Sequence, residues 1–306
     1  MAYFFGSRSA INGSASATAR RVAPLLSLCI FVTACGLSAQ QQENSKREPQ
    51  IAPQAKPALG KRVLLDAWFN SQKRKGANGD LEYFHYKWTD TADSGFSLFG
   101  HLLNENGLRT DTLFQAPTLA NLASAQFYII VSPDIPVKNP HPNYMTKQDA
   151  DQVAEWVKRG GILILMENDP ANADIEHLDL LADKFGLHFN SVLSHHVDGD
   201  TFSMGRIAVS PGGGLFHQPH VIYLKDTCTI TPSGPARPLL VDKGDVLMAT
   251  AKFGKGTVFA VVDPWLYNEY TDGHKLPPEF DNLSAAQELV NWLVRQLPPA
   301  LTIPAK

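Results

Sequence analysis

Residues 255–270 read Lys-Gly-Thr-Val-Phe-Ala-Val-Val-Asp-Pro-Trp-Leu-Tyr-Asn-Glu-Tyr, an apolar run that passes directly into a polar, aromatic loop. The run at 258–262 carries no charge, and such runs are typical of strands buried on both faces of a parallel sheet. The loop leaves the carboxyl end of that strand, where open α/β sheets bind their ligands. This segment therefore predicts both the fold class and the position of the functional surface.

Strand and helix patterns alternate along most of the remaining sequence. Strands are predicted over 62–68, 109–114, 127–131 and 162–166, and helices over 94–106, 146–159, 174–185 and 284–297. Ser94 and Thr146 are the predicted caps of the first two helices, and Gly254-Lys255-Gly256 is predicted to form a hairpin turn before the apolar run. This alternation is typical of an α/β fold with a doubly wound, mostly parallel sheet of the flavodoxin-like type. Residues 70–93 are predicted to form a long loop. Residues 187–253 carry short β patterns between Pro and Gly, which predict extra antiparallel strands at the edge of the sheet.

The first 35 residues differ in composition from the rest. Arg20 and Arg21 precede an apolar stretch at 22–34, which is typical of a secretory signal and is too short to span a bilayer. Residues 32–36, Val-Thr-Ala-Cys-Gly, resemble a bacterial lipobox, in which Cys35 becomes the lipidated N-terminus; ordinary cleavage near 37–39 is the alternative. We therefore predict an exported protein, a periplasmic or outer-membrane-anchored lipoprotein that contacts the membrane only through its lipid.

Composition also divides the chain into segments: a signal peptide at 1–35, a disordered tether at 36–59, a single α/β domain at 60–298 and a tail at 299–306. The tether has few large apolar residues and cannot fold alone. The formal net charge is −3, without the basic clusters of a nucleic-acid binder, so nucleic acid is not an expected partner. Cys228 is the only cysteine of the predicted domain, which leaves no internal disulfide there.

Polar residues follow the predicted buried strands at the points where the strands end. They are Asp66, Asp134, Glu167, Asn168, Asp169 and Asp263. In a parallel sheet these positions share one edge, where paired carboxylates can act as acid and base or hold a metal. We take Glu167, Asp263 and Asp66 as candidate catalytic residues. The alternative is that these side chains cap helices and shape turns.

Aromatic residues are dense in two loops of the same predicted edge, at 83–88 and 265–270. Flat rings with polar groups suit the face of a sugar or the surface of a partner. The alternative is that the rings pack together as a small core over the edge of the sheet. The candidate ligand-binding residues are His85, Tyr86, Trp88, Asn168, Asp169, Trp265, Tyr267, Asn268 and Glu269.

Other sequence patterns argue against several kinds of site. The groupings His195-His196 and His217-x-x-His220 lack the three- or four-ligand frame of a zinc site. Residues 212–214 are three glycines without the Lys-Ser/Thr of a phosphate loop, and no Gly-x-Ser-x-Gly elbow occurs. Cys228 lies in a predicted strand, as a packed thiol rather than a nucleophile. We therefore predict no metal and no cofactor.

Residues 156–166, Trp-Val-Lys-Arg-Gly-Gly-Ile-Leu-Ile-Leu-Met, resemble the class I glutamine amidotransferase-like superfamily in its non-amidotransferase branches. Four segments are also similar to an accessory domain attached to bacterial unsaturated rhamnogalacturonyl hydrolases, which are glycoside hydrolases of pectin breakdown. The segments are 84–88 (Phe-His-Tyr-Lys-Trp), 94–97 (Ser-Gly-Phe-Ser), 166–169 (Met-Glu-Asn-Asp) and 256–270. The superfamily resemblance covers most of 61–297 and implies the α/β fold; the narrower one implies a role in carbohydrate metabolism.

The chain departs from both families at the residues that carry their chemistry. Amidotransferases of the superfamily use a nucleophilic Cys after a strand, and no Cys occupies a strand end here, so glutamine hydrolysis is not expected. The rhamnogalacturonyl hydrolases catalyse in an α/α barrel that this sequence lacks, so none of their catalytic residues carries over.

Three functions stay open on the sequence. The first is a non-catalytic domain that binds carbohydrate or a carbohydrate-active enzyme in the breakdown of pectin and rhamnogalacturonan; the missing nucleophile and the aromatic loops favour it. The second is a hydrolase of plant polysaccharide fragments that uses the strand-end carboxylates. The third is a scaffold that presents 265–270 to another protein.

Overall fold

A nine-stranded sheet forms the centre of the molecule. The computed structural model describes residues 58–298. The predicted signal peptide, its Cys35, nearly all of the predicted tether and the tail at 299–306 lie outside the described residues. None of the helices within 58–298 is long and apolar enough to cross a membrane.

The parallel half of this sheet is flavodoxin-like, as predicted. In spatial order its strands are β4 (Arg109–Leu113), β1 (Arg62–Asp66), β5 (Phe127–Val131), β6 (Ile162–Met166) and β13 (Gly256–Val261). Numbered along the chain, this is the order 2-1-3-4-5 of a doubly wound sheet. Val261 pairs with Met166 in parallel register, so the ends of β6 and β13 lie side by side. The predicted fold class is confirmed.

The helices form two groups. They are α1 (Ser97–Glu105), α2 (Leu119–Leu122), α3 (Lys147–Lys158), α4 (Ile175–Ala182) and α5 (Asn282–Arg295). Helix α1 contacts α5, whereas α2 contacts α3 and α3 contacts α4. The apolar sides of α3 and α5 are buried, including Trp156 on α3 and Leu289 on α5, as an amphipathic pattern requires.

The beginning of α3 follows the sequence, and the beginning of α1 does not. Thr146 caps α3 in a reciprocal capping box with Asp149, as predicted for this threonine. The prediction that Ser94 caps α1 is wrong: the helix begins at Ser97, after Phe96. The backbone N–H of Leu98, in the first turn of α1, donates to the carboxylate of Glu269. Because Glu269 lies 171 residues from Leu98 along the chain, a local sequence pattern could not predict this cap.

Antiparallel strands extend the sheet beyond β13, as predicted for 187–253. They are β12 (Asp245–Phe253), β11 (Ala236–Asp242), β10 (Thr227–Pro232) and β7 (Leu187–Ser194). Gly254 sits at the predicted β12–β13 hairpin turn with φ +58°, in the left-handed region that glycine tolerates.

Two hairpins lie outside the central sheet. The first joins β2 (Lys73–Lys75) to β3 (Leu81–Tyr83), so the prediction of a structureless loop over 70–93 is wrong. All three β2 residues are exposed and basic, and a strand without a buried face shows no apolar alternation. The second joins β8 (Arg206–Val209) to β9 (His220–Tyr223).

Candidate functional site

The predicted polar residues do meet at the carboxyl edge of the parallel strands, but they are closed off from solvent. None of the six is more than 5% exposed. We name this set the buried polar layer; it consists of Asp66, Asp134, Glu167, Asn168, Asp169 and Asp263. What each member does is therefore decided by its hydrogen bonds rather than by access to a ligand.

Asp66 organises the turn after β1. Its Oδ2 accepts hydrogen bonds from the backbone N–H groups of Trp68, Phe69 and Asn70, and its Oδ1 accepts one from the Tyr128 hydroxyl at 2.7 Å. Burial raises the pKa of Asp66 to about 6, although these hydrogen bonds and the charge of Lys87 oppose the shift. The carboxylate thus holds a turn together, as Asp often does at such positions.

Lys87 supplies the matching buried charge. Its Nζ donates to Asn70 Oδ1 at 2.7 Å and to the His85 carbonyl at 2.9 Å. Burial lowers the pKa of Lys87 to about 8, and the nearby charges of Asp66, Asp134 and Asp90 oppose this shift. Lys87 is thus bound by a side-chain amide and a carbonyl, and the nearby carboxylates favour its charged form.

Asp134 fixes three polar side chains at the surface above it. It accepts hydrogen bonds from Ser71 N, Gln72 Nε2 and Asn139 Nδ2, each at 2.8 Å. These donors belong to the loops after β1 and β5. Asp134 therefore joins the two loops and determines where their outer surfaces lie.

Glu167 is the most unusual member of the layer. Its Oε1 accepts from the N–H of Asn168 at 3.0 Å, while Oε2 has no hydrogen-bond partner among the described residues. Burial raises the pKa of Glu167 well above its ordinary value, helped by the charges of Asp179, Asp174 and Asp169. The protonated carboxyl is favoured, and it faces no open path to water.

Asn168, Asp169 and Asp263 shape the loops that follow their strands. Asp169 N donates to Asn168 Oδ1 at 2.9 Å, and Asp169 in turn accepts from Ala171 N at 2.9 Å. Asp263 accepts from Lys225 N at 2.6 Å. The structure thus places all three candidates together with Glu167, but Asn168 and Asp169 accept hydrogen bonds within their own turn and Asp263 connects its loop to Lys225.

The aromatic segment at 83–88 covers part of this layer. Tyr86 is 5% exposed and its hydroxyl lies 3.5 Å from Asn168 Nδ2. Trp88 is half-buried and donates from Nε1 to the Asp111 carbonyl at 3.0 Å. Burial, followed by the charge of Lys138, lowers the pKa of His85 to about 4. His85 and Tyr86 have φ of +57° and +49°, a conformation that costs free energy and concentrates at functional or structurally critical positions.

The segment at 264–271 covers the rest of the layer. Tyr267 and Asn268 are fully buried, with the Tyr267 ring 5.3 Å from that of Phe99. Glu269 accepts from Ser97 Oγ at 2.7 Å and from Leu98 N at 3.2 Å. The side chain of Trp265 lies outside what the structure describes. These residues therefore pack over the sheet, and Glu269 caps the N-terminus of α1.

The open space at this edge lies elsewhere, in a cleft of about 460 Å³ between the loops after β1, β4 and β5. Its wall carries Lys73, Lys138 and His141 together with the rings of Tyr83 and Phe114, and none of the described residues that line it is acidic. We name it the basic cleft. It contains the outer faces of Ser71, Gln72 and Asn139, which Asp134 holds from beneath.

A second cleft of about 510 Å³ lies on the other side of Tyr83 and Phe114, and Arg74, Glu82 and Asp90 are among its lining residues. Arg74 pairs with Glu82 at 2.8 Å and with Asp90 at 3.3 Å. The charges of this cleft are thus mutually compensated. The two rings that separate the clefts have centroids 5.0 Å apart, and Phe114 is 49% exposed.

The basic cleft occupies the topological switch point of the sheet. The chain leaves β1 toward β4 on one side and later returns to β5 on the other, and such a reversal opens the crevice in which doubly wound folds bind ligands. Sequence reasoning missed Lys73, Phe114, Lys138 and His141, because it centred the site on β6 and β13. The strand order 2-1-3-4-5 would have directed attention to β1 and β5.

Cys228 is buried in β10, as predicted, with its Sγ 3.8 Å from the Val262 carbonyl. Burial raises the pKa of this thiol well above its ordinary value. A protonated, inaccessible thiol is a poor nucleophile.

No protein-family model and no curated protein matches this sequence. Among solved structures, the mmIFT52 N-terminal domain superposes with a TM-score of 0.55 at 13% identity, over 76% of this chain and 96% of that one. The cytoplasmic protein STM1381 from Salmonella typhimurium LT2 gives 0.48 at 13% identity, over 77% and 98%. The exo-beta-1,4-mannosidase Op5Man5 from Opitutaceae bacterium strain TAV5 gives 0.45 at 16% identity; 79% of this chain aligns with 37% of that enzyme. The first similarity shows a shared fold alone, and the other two superpositions are too loose to add to it.

Proposed function

We propose that this domain binds carbohydrate without transforming it, and that its ligands are acidic, uronate-containing glycans of the pectin type. The observation that carries the proposal is the basic cleft: a crevice at the switch point, walled by aromatic rings and lined by cations without an acidic residue. The sequence resemblance to an accessory domain of rhamnogalacturonyl hydrolases supports the same ligand class.

The chemistry of the cleft suits a uronate in two respects. Lys73 and Lys138 are exposed, and no described residue that lines the cleft with them is acidic, so their charges are available to a carboxylate. Lys73 Nζ lies 4.6 Å above the Tyr83 ring, which places a cation beside a flat apolar surface. A sugar acid needs both features, since its ring has an apolar face and its carboxylate is charged.

The buried polar layer favours binding over hydrolysis through the strand-end carboxylates. An acid–base pair must reach the scissile bond. Glu167 and Asp263 are fully buried, and each already accepts a hydrogen bond from a backbone N–H. Hydrolysis by Glu167 and Asp263 is therefore an outcome that the test below would reveal, and it is not part of the proposal.

Export and anchoring belong to the same proposal. A lipid on Cys35 would hold the domain at a membrane surface, where it could retain pectic fragments or bring them to a carbohydrate-active enzyme. Both the anchor and the enzyme partner rest on the sequence at 32–36 and on the family resemblance.

The test is calorimetric titration of the full chain with short galacturonate oligomers and with neutral galactose oligomers of the same length. We expect binding of the acidic series only, weakening with added salt because exposed charges are screened. The double variant Lys73→Gln/Lys138→Gln should bind about tenfold or more weakly, which corresponds to about 1.4 kcal/mol. Tyr83→Ala should also weaken binding, by about three- to tenfold, through loss of the ring face.

The matched control is Lys255→Gln, an exposed lysine at the β12–β13 turn, which should leave affinity unchanged. Equal binding of neutral oligomers, or affinity that the cleft variants do not alter, would refute the site. Release of shortened products that Glu167→Gln abolishes would establish the hydrolase instead.

A further inference from the structure

Three potential metal ligands meet where α4 passes into β7. Asp179 lies in the last turn of α4, Asp183 follows four residues later at its C-cap, and His188 is the second residue of β7. Residues four apart share one face of a helix, so the two carboxylates lie one above the other. One ligand atom from each side chain can be chosen so that all three lie within 4.8 Å of one another.

The turn that brings His188 back onto α4 is rigid. Gly186 has φ +74°, and a Cβ at this position would lie 2.1 Å from the Ser233 carbonyl oxygen. Only glycine satisfies both conditions. Asp179 is held from the other side, because its Oδ1 accepts from Phe189 N at 3.0 Å. The three side chains are thus positioned by the backbone around them.

The hydrogen bonding within the set is incomplete. His188 Nδ1 lies 3.0 Å from Asp183 Oδ1 and 3.2 Å from Asp179 Oδ2. One ring nitrogen carries at most one proton, so Nδ1 cannot make a full hydrogen bond to both carboxylates. Asp179 Oδ2 and Asp183 Oδ1 therefore compete for one donor atom, and Asp179 is only 7% exposed. No described Lys or Arg pairs with either carboxylate.

We propose that Asp179, Asp183 and His188 form a binding site for a divalent transition-metal ion of the zinc class. A cation would satisfy the imidazole nitrogen and both carboxylate oxygens at once, which a single proton does not. Two of the three separations, 3.0 and 3.2 Å from His188 Nδ1, are close to the roughly 3.3 Å expected between ligand atoms at about 2.0 Å from a tetrahedral ion, and the third lies within 4.8 Å. An imidazole with two carboxylates suits zinc better than calcium, which takes six to eight oxygens.

The surroundings leave room for the remaining coordination position. The side chains of His188 and Asp183 are 52% and 58% exposed, so water can complete the shell. The metal would bind the end of α4 to β7, the last strand of the sheet on that side, and would stabilise this edge. The proposal is independent of carbohydrate binding, and it departs from the sequence-based expectation of no metal, which considered the strand-end carboxylates and the two paired-histidine groupings.

The experiment is calorimetric titration of the chelator-treated full chain with zinc chloride, together with the variants His188→Gln and Asp183→Asn. Both side chains are half exposed, so the variants should fold, and circular dichroism checks this. We expect one zinc ion per chain and about tenfold or more weaker binding in each variant, since even the loss of an outer-shell partner has that effect. Cobalt should give a visible absorption band that His188→Gln removes.

His196 provides the matched control, because it also lies between two carboxylates. Each of its nitrogens has its own partner, Asp226 at 2.6 Å on Nδ1 and Asp198 at 3.0 Å on Nε2, so no proton is shared. His196→Gln should leave zinc affinity unchanged. No binding by the wild type at about 100 µM zinc, or affinity lost equally in His196→Gln, overturns the proposal.

Discussion

The buried polar layer and the basic cleft lie at the same edge of one sheet, and their polar groups do different work. In the layer, Asp66 and Asp263 accept hydrogen bonds from backbone N–H groups and are fully buried. In the cleft, Lys73 and Lys138 are exposed and their charges are uncompensated by described residues. A polar residue at a strand end therefore indicates a structural role in the following turn. It indicates a binding or catalytic role only where an open cleft makes the residue accessible.

The cause of the difference is the cover above each region. Over β6 and β13, the segment at 264–271 is pinned to α1 by Glu269. At β1 and β5, successive strands are added on opposite sides of β1, so the loops diverge and leave a cavity of about 460 Å³. Four predictions test whether the layer is structural and the cleft functional.

The largest expected effect is on stability, at Asp66. Replacing Asp66 by Ala removes the acceptor for three backbone N–H groups and the Tyr128 hydroxyl. Buried donors left without an acceptor cost about 1–3 kcal/mol each, so the total loss should be about 3–5 kcal/mol. Urea unfolding should show this loss.

The control variant is Asp111→Ala, which removes an exposed ion pair with Arg62 and should cost under about 1 kcal/mol. Equal costs for the two variants would contradict the structural role of the layer.

The next effect is a pH dependence at Glu167. The pKa of Glu167 is raised above its ordinary value of 4.5 by burial, so its contribution to stability is complete below pH 4.5 and is lost as the pH rises toward the folded-state pKa. Glu167→Gln has no proton to lose. Its free energy of unfolding relative to the wild type should therefore increase with pH, by up to about 1.4 kcal/mol per unit.

Urea unfolding at about pH 5, pH 6 and pH 7 measures this difference, with Glu176→Gln, an exposed glutamate on α4, as the control. A difference between Glu167→Gln and wild type that stays flat or falls with pH would mean that Glu167 is ionised in the folded protein.

A smaller effect is expected at Glu269, which connects the cover of the layer to α1. Glu269→Ala removes the acceptor for Ser97 Oγ and Leu98 N, and loss of a helix cap costs about 0.5–2 kcal/mol. Thermal unfolding should show a lower midpoint than in Glu279→Ala, whose carboxylate is exposed. A midpoint equal to that control would show that the cover does not depend on this cap.

The smallest effect is expected in the cleft. Lys73→Gln and Lys138→Gln alter exposed side chains, so each should change the free energy of unfolding by no more than about 0.5 kcal/mol while weakening the binding of galacturonate oligomers. Denaturant unfolding of both variants checks the first part. A large loss of stability would show that these lysines have a structural role, as Asp66 does, and would contradict the functional interpretation of the cleft.

Local patterns predicted much of the architecture. The apolar run at 258–262 lies largely in β13, Thr146 caps α3, and Gly254 makes the hairpin turn. In each case a few neighbouring residues contain the whole physical reason: burial, a capping box or a positive φ. The strands that failed prediction, β2 and β3, are short and exposed, and nothing periodic marks them.

The candidate site was predicted less well, because its parts meet only through folding. The polar strand ends were located correctly along the chain, but distant segments bury them. Tyr86, which contacts Asn168, lies 82 residues from it, and the covering segment at 264–271 is held by a hydrogen bond from Ser97 to Glu269, which are 172 residues apart. The basic cleft joins residues from 67 to 143 across a reversal in strand order.

The residue pattern alone thus determined that this chain builds a doubly wound α/β sheet with polar residues at its carboxyl edge, because hydrophobic periodicity and turn chemistry act over a few residues. Which of those polar residues water can reach was decided by the assembled fold. Solvent access depends on how distant loops cover the sheet, and that information is spread over contacts between segments far apart in the chain.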